Sequence, residues 1–99
     1  MPGYVIANYE IIDREKYDKY PPAVAPTIAE YGGKVLIADH QAAVMEGTPQ
    51  NVIVALEFPS VEKAKQWYDS PEYGEVKHLR TSTTEGWLVI ADSFAKPGK

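Results

Sequence analysis

Arg80 is the residue of this 99-residue chain whose chemistry is most constrained by its neighbours. Its guanidinium cannot be deprotonated in a protein, so beside an apolar surface it requires a carboxylate, phosphate or carbonyl partner. Tyr73 precedes it by nearly two helical turns, which puts both on the helix face that Val76 also occupies. Two kinds of partner fit. Glu57 or Asp92 would neutralise Arg80 within the chain, whereas a ligand carboxylate would make it an anchor. Glu57 sits among Ile53 and Ala55. If its strand face lines a cleft, burial raises its pKa and makes it a candidate general base; if it meets Arg80 it is simply paired.

The other candidates carry weaker signals. Trp67 and Tyr68 end a helical stripe that begins with Val61 and Ala64, and core packing is the expected task of Trp67. Tyr68 and Tyr73 can present hydroxyls at a cleft mouth or bond backbone carbonyls. Asn8 shares a strand face with Tyr4, Ile6 and Glu10 and is a candidate ligand contact. His40 falls in a bend where an imidazole titrates near neutral pH, or stands solvated on the surface. His78 lies on the polar side of a helix with Glu75 and reads as surface. The two histidines have no acidic residue at ligand spacing, and there is no cysteine, so we expect neither a protein-held metal nor a thiolate nucleophile. The phosphate-cradling, zinc-protease and nucleophile-elbow motifs are missing as well, and no cofactor is expected.

The elements that must position these residues follow from periodicity and punctuation. Tyr4–Ile12 is rich in β-branched and aromatic residues and reads as a strand. Asp13 caps a helix over Arg14–Tyr31, whose Tyr17, Tyr20, Val24, Ile28 and Tyr31 share a face. Pro21 and Pro22 predict a kink or break, and Gly32–Gly33 ends the helix. Lys34–Asp39 and Ala42–Glu46 read as strand segments, Thr48–Asn51 as a turn and Val52–Phe58 as a strong strand. Ser60 caps a helix over Val61–Asp69, and Ser70–Pro71 opens a third from Pro71 to about Arg80. Trp87–Phe94 is the last strand, with a polar, fraying tail over Ala95–Lys99.

The resulting order, β-α-β-β-α-(α)-β, is that of the split βαβ, ferredoxin-like motif: an α+β domain with a four-stranded antiparallel sheet and helices on one face. The strands do not alternate as a one-sided sheet should. Val52, Val54, Leu56 and Phe58 face one way while Ile53 and Ala55 face the other; Trp87, Val89 and Ala91 oppose Leu88 and Ile90. Both faces are apolar, so the uncovered one needs a partner, and a second copy related by a two-fold axis is the simplest. The expectation is a homodimer.

Composition supports one folded domain over residues 1–99: 44% hydrophobic and 24% charged residues, well mixed. The net charge is −4 and lysine and arginine nowhere cluster, which argues against nucleic acid and against an anionic membrane surface. The longest apolar run, Val52–Leu56, is too short to span a bilayer, and the first residues do not resemble a secretory signal. A cytoplasmic location is the default expectation.

Tyr31-Gly32-Gly33, Glu46-Gly47, Glu57-Phe58-Pro59-Ser60, the run Trp67-Tyr68-Asp69-Ser70-Pro71-Glu72-Tyr73, and Leu79-Arg80 together resemble the bacterial domain-of-unknown-function family numbered 1330, from Tyr4 to about Ala91. That family belongs to the dimeric α/β-barrel superfamily, and the resemblance implies ferredoxin-like protomers paired sheet to sheet, each with a cleft between helices and sheet. Monooxygenases, isomerases, haem-handling enzymes and binding-only proteins of the superfamily all use that cleft, so the fold alone names no activity. Where the family often carries an Arg-Gly pair after the second strand, this chain has Ala38-Asp39-His40. The functional expectation is a homodimer whose cleft binds or transforms a small organic molecule without a dedicated metal site. The alternative is a structural or regulatory dimer with no ligand.

Overall fold

The computed structural model describes residues 1–94; the expected polar tail at Ala95–Lys99 lies outside them. β1 (Gly3–Ile11) is the central strand around which the sheet is built. It pairs antiparallel with β3 (Val52–Phe58) on one side and with β4 (Thr84–Asp92) on the other, while β2 (Lys34–Asp39) flanks β3. The order β2-β3-β1-β4 is that of the ferredoxin-like fold. Register sets the two faces. Val5 stands opposite Leu56 and Ile90, and Ala7 opposite Val54 and Leu88, so these residues share the helix-covered face.

The helices begin where side-chain oxygens satisfy orphan backbone donors. Lys16 N–H donates to Asp13 Oδ1 at 3.2 Å to open α1 (Arg14–Tyr17), and Lys63 N–H donates to Ser60 Oγ at 3.1 Å to open α3 (Val61–Tyr68). Ser70 serves α4 (Pro71–Val76) in the same way, accepting from Tyr73 N–H at 3.1 Å while its own hydroxyl donates to the Trp67 carbonyl at 2.7 Å. The long first helix breaks at Asp18–Lys19, and α2 runs Tyr20–Glu30 with Pro21 and Pro22 in its first turn. There a missing N–H costs nothing, because the first-turn donors have no intrahelical acceptor anyway. Gly32, at φ +76°, turns the chain out of α2 in a conformation that glycine adopts without a Cβ clash.

Three expectations are corrected. Ala42–Glu46 is not a strand: β2 has already ended at Asp39 opposite Ile53, and beyond it the pairing is reduced to a long bond from Ala42 N–H to the Asn51 carbonyl at 3.3 Å among the described residues. They form a loop that leaves Val44 and Met45 exposed. The third helix is two pieces, α4 and α5 (His78–Thr81), and Gly74 weakens the first. Lys77 between them keeps helical dihedrals, so Arg80 still follows Tyr73 along one face. β4 starts at Thr84 rather than Trp87, because Gly86 lets the strand approach β1 so closely that a Cβ there would collide with the Asn8 carbonyl oxygen.

The core between sheet and helices joins Val5, Ala7, Leu56 and Phe58 to Tyr17, Val24, Ile28, Ala64, Trp67 and Tyr73. The opposite face of the sheet is left uncovered although it too is apolar. Leu36, Ile37, Trp87 and Val89 are each about half exposed there, beside Ile6, Ile53 and Ala55.

Candidate functional site

A cavity of about 170 Å³ lies between the helices and the sheet. It follows β1 from Val5 through Ala7 to Tyr9, with Val54, Leu56 and Leu88 alongside and Val24 and Ile28 of α2 above. The mouth opens between Pro21 and Ala25 of α2 and Val35 and Ala38 of β2, all four exposed. His40 stands half-buried at this mouth with its ring edge to Tyr17, centroids 6.2 Å apart.

The walls are apolar except around Tyr9, where hydroxyls and a guanidinium converge. Tyr9 and Tyr17 pair hydroxyl to hydroxyl at 2.7 Å, and Tyr20 and Tyr73 do the same at 2.9 Å. Arg80 Nε donates to the Tyr73 hydroxyl oxygen at 3.3 Å. The Arg80 carbonyl accepts from the Thr83 and Thr84 hydroxyls at 3.3 and 2.7 Å, which tethers α5 to the start of β4 and so fixes the arginine. Arg80 is 8% exposed and Tyr73 fully buried.

Burial works against the Arg80 charge, but the Tyr73 and Tyr20 hydroxyl oxygens more than offset it and hold its pKa above the usual arginine range. Tyr9 and Tyr20 are pushed well above the ordinary phenol range. For Tyr9 the causes are burial and then Tyr17; for Tyr20, burial and then Tyr73; Arg80 pulls the other way in both without cancelling the shift. Tyr9 and Tyr20 are therefore protonated at neutral pH.

The intrachain ion pair expected for Arg80 is not formed. Glu57 lies on the far face of the sheet, opposite Tyr4 and Lys34, with Lys34 Nζ 3.5 Å from its carboxylate. Asp92 ends β4 opposite Gly3, at the other end of the strand from Thr84, which contacts Arg80. Among the described residues no carboxylate stands within ion-pair distance of Arg80, and no Asp or Glu lines the cavity. Glu57 is consequently not placed to act on a molecule in this cleft.

The remaining expected site residues divide. Trp67 lines the cavity, packs on Tyr73 at 4.1 Å between ring centroids and donates from Nε1 to Thr27 Oγ1 at 3.0 Å. Tyr73 backs the cavity by holding Arg80. Tyr68 turns away from it, its ring covered by the Lys77 ammonium at 3.9 Å. Asn8 is spent on structure: its amide donates to the Gln50 and Val52 carbonyls at 3.0 and 2.8 Å and accepts from Gln50 N–H at 3.0 Å, closing the β2–β3 loop onto β1. His40 reaches the mouth. Sequence reasoning did not single out Tyr9, Tyr17 and Tyr20 as site residues. The signal was present in the Tyr17–Tyr20–Val24–Ile28 stripe and in Tyr9 sharing a strand face with Val5 and Ala7. Among the described residues no group of three His, Cys, Asp or Glu side chains is placed to hold a metal ion, and no helix is long and apolar enough to cross a membrane.

Several solved structures share this architecture. A protein of unknown function from Rhodopseudomonas palustris superposes with a TM-score of 0.78 at 17% identity, over 96% of this chain and 84% of that one. SnoaB, a cofactor-independent oxygenase from Streptomyces nogalater, gives 0.64 at 7% identity over 99% and 98% of the two chains. A dimeric protein of unknown function and ferredoxin-like fold from Bacteroides fragilis gives 0.57 at 14% identity over 93% and 96%. No curated protein matches the chain. At these identities the likeness is one of fold. The sequence itself fits the model of a single family across residues 2–94, and the chain belongs to that family, the domain of unknown function DUF1330.

Proposed function

We propose that two copies of this chain pair through the uncovered face of the sheet, and that the cleft of each protomer binds a small organic molecule, with Arg80 as its polar anchor. The observation that carries the binding reading is the buried Arg80 guanidinium at the edge of an apolar cavity, with no carboxylate beside it among the described residues. The phenol oxygens that hold this charge are neutral acceptors and use only part of its N–H donors, and a ligand oxyanion would supply the counter-charge. Tyr9, Tyr17, Tyr20 and Trp67 would contact the ligand, His40 would sit at the entrance, and Tyr73 would position Arg80.

Pairing is supported by the exposed Trp87, Val89, Leu36 and Ile37, which a two-fold interface would cover with the same residues of the second copy. The dimeric ferredoxin-like protein of Bacteroides fragilis is consistent with it. The reading is of binding, or of turnover without a dedicated metal site; SnoaB shares the fold, and its oxygenase activity is its own.

Native mass spectrometry of gently purified protein tests both parts. The expected result is a species of twice the 11.0 kDa chain mass carrying a removable small-molecule adduct. A Val89→Glu chain should run as a monomer, because a two-fold axis places the new carboxylate in the interface twice. A wild-type monomer at micromolar concentration refutes the pairing. A clean dimer that also fails to take up any added small organic molecule refutes the ligand cleft and leaves the structural dimer.

A further inference from the structure

The proton inventory of the cluster specifies the chemistry of the molecule that this cleft would take, an inference that rests on the cleft-binding reading above. A phenol carries one proton to donate and lone pairs to accept. The Tyr9–Tyr17 pair contains one hydrogen bond, at 2.7 Å, and the Tyr20–Tyr73 pair one, at 2.9 Å. Each pair therefore keeps one phenolic proton that its internal bond does not use. Those hydroxyls have no carbonyl or carboxylate acceptor among the described residues, and the lining of the cavity includes no Asp or Glu. Arg80 adds a guanidinium with five N–H donors, facing only the hydroxyl oxygens of Tyr73, which accepts from Nε at 3.3 Å, and Tyr20 among the described residues. Donors thus exceed acceptors at this end of the cavity, and the excess includes a full positive charge that is 92% buried with its residue, since Arg80 is 8% exposed.

The other end is bare of polar groups. Val5, Leu56, Val24 and Ile28 shape it. From Val5 to Tyr9 the strand rises about 13 Å, so a ligand can place an apolar body on these residues and reach Arg80 with one terminal group. A cavity of about 150 Å³ accepts a benzene ring, and this cavity, at about 170 Å³, admits one ring with a small substituent, a larger molecule extending through the mouth.

We propose that the cleft selects organic acids bound as their oxyanions: a compact apolar or aromatic body on Val5, Leu56, Val24 and Ile28, and a carboxylate or an acidic enol or phenol oxygen held by Arg80 and the spare phenolic protons of the Tyr9–Tyr17 and Tyr20–Tyr73 pairs. A neutral molecule of the same shape leaves those donors with weaker acceptors, and a cation meets a like charge.

Benzoate, benzamide and toluene serve as probes, titrated into the purified full chain at neutral pH and followed by two-dimensional amide NMR, which reports both affinity and place. Benzoate should bind at least about tenfold more tightly than benzamide, the worth of one charge-assisted hydrogen bond, with shifts centred on Tyr9, Tyr20 and Arg80. Arg80→Gln should bring the benzoate preference below about threefold and leave toluene binding unchanged, because the apolar end is untouched. If Arg80→Gln does not fold, Tyr20→Phe, which removes one hydroxyl and no charge, should weaken benzoate selectively over toluene. Equal binding of all three probes within the cavity overturns the oxyanion inference while the cleft remains a binding site. Failure of all three to bind at millimolar concentration, or shifts confined to other surfaces, overturns both.

Discussion

Replacing Tyr73 by phenylalanine isolates the polar term that holds Arg80 in place. The ring stays, so its packing on Trp67 at 4.1 Å and on Tyr68 at 5.6 Å is preserved, and only one oxygen is lost. That oxygen accepts from Arg80 Nε at 3.3 Å and pairs with the Tyr20 hydroxyl at 2.9 Å. Hydrogen bonds to charged groups are worth about 1.5–3 kcal/mol and neutral ones about 0.5–1.5, and a buried group left without a partner bears its desolvation cost. The Arg80 contact is long, which places it at the low end of its range. Tyr73→Phe should therefore destabilise the fold by about 2–3 kcal/mol, a fall in Tm on the order of 10 °C for a domain of this size. Urea denaturation at a fixed protein concentration measures it, because any dimer makes stability concentration-dependent. Arg80→Met supplies the second edge of a double-mutant cycle: in that background Tyr73→Phe should cost about 1 kcal/mol less, since the charge whose partner was removed is gone. A wild-type-like Tyr73→Phe chain, or a cost unchanged by Arg80→Met, would refute the claim that Tyr73 and Arg80 form one buried unit.

Two further outcomes follow from the same structure. Tyr9 and Tyr20 have folded-state pKa values raised far above the phenol norm by burial and by their hydroxyl partners. The unfolded chain loses these protons near pH 10 while the folded chain keeps them, so the contribution of these two phenols to stability is constant below that pH and falls above it. The slope should approach about 2.7 kcal/mol per pH unit for two protons; alkaline urea titrations showing no fall through pH 11 would contradict the burial of these phenols. Gly86→Ala forces a Cβ into the Asn8 carbonyl and the Tyr9 backbone, where neither side can yield because both belong to the β1–β4 ladder. It should cost roughly 2 kcal/mol or more, and a Tm within a degree of wild type would show that the strands can separate there at little cost.

Local chemistry made much of the fold legible. Asp13, Ser60 and Ser70 announce helix starts because a short side-chain oxygen next to free backbone donors has one good use, and all three caps form. The apolar, β-branched start of Val52–Phe58 marks it as a strand that suits a half-buried pleated surface. The two-faced apolarity of the sheet could be read by alternation alone, since side chains of a strand point to opposite faces. Ala42–Glu46 shows the limit. Its residues suit a strand, but a strand exists only with a neighbour, and whether one remains beyond Asp39 depends on the register of β2 against β3.

The site divides along the same line. Sequence by itself placed Arg80 and Tyr73 on one helical face and implied that a buried arginine needs a partner, because helix spacing and an unremovable charge are local properties. Which partner it meets was decided by tertiary structure. Glu57 is one residue from Leu56, yet the pleat sends it to the other face, where Lys34 neutralises it, while Leu56 enters the cavity. Tyr9, Tyr17 and Tyr20 stand on three different elements, and only the packing of α1 and α2 over β1 brings their hydroxyls to Arg80. Side-chain type and period are written along the chain, but the distance between residues far apart in it exists only once sheet register and helix docking have been chosen.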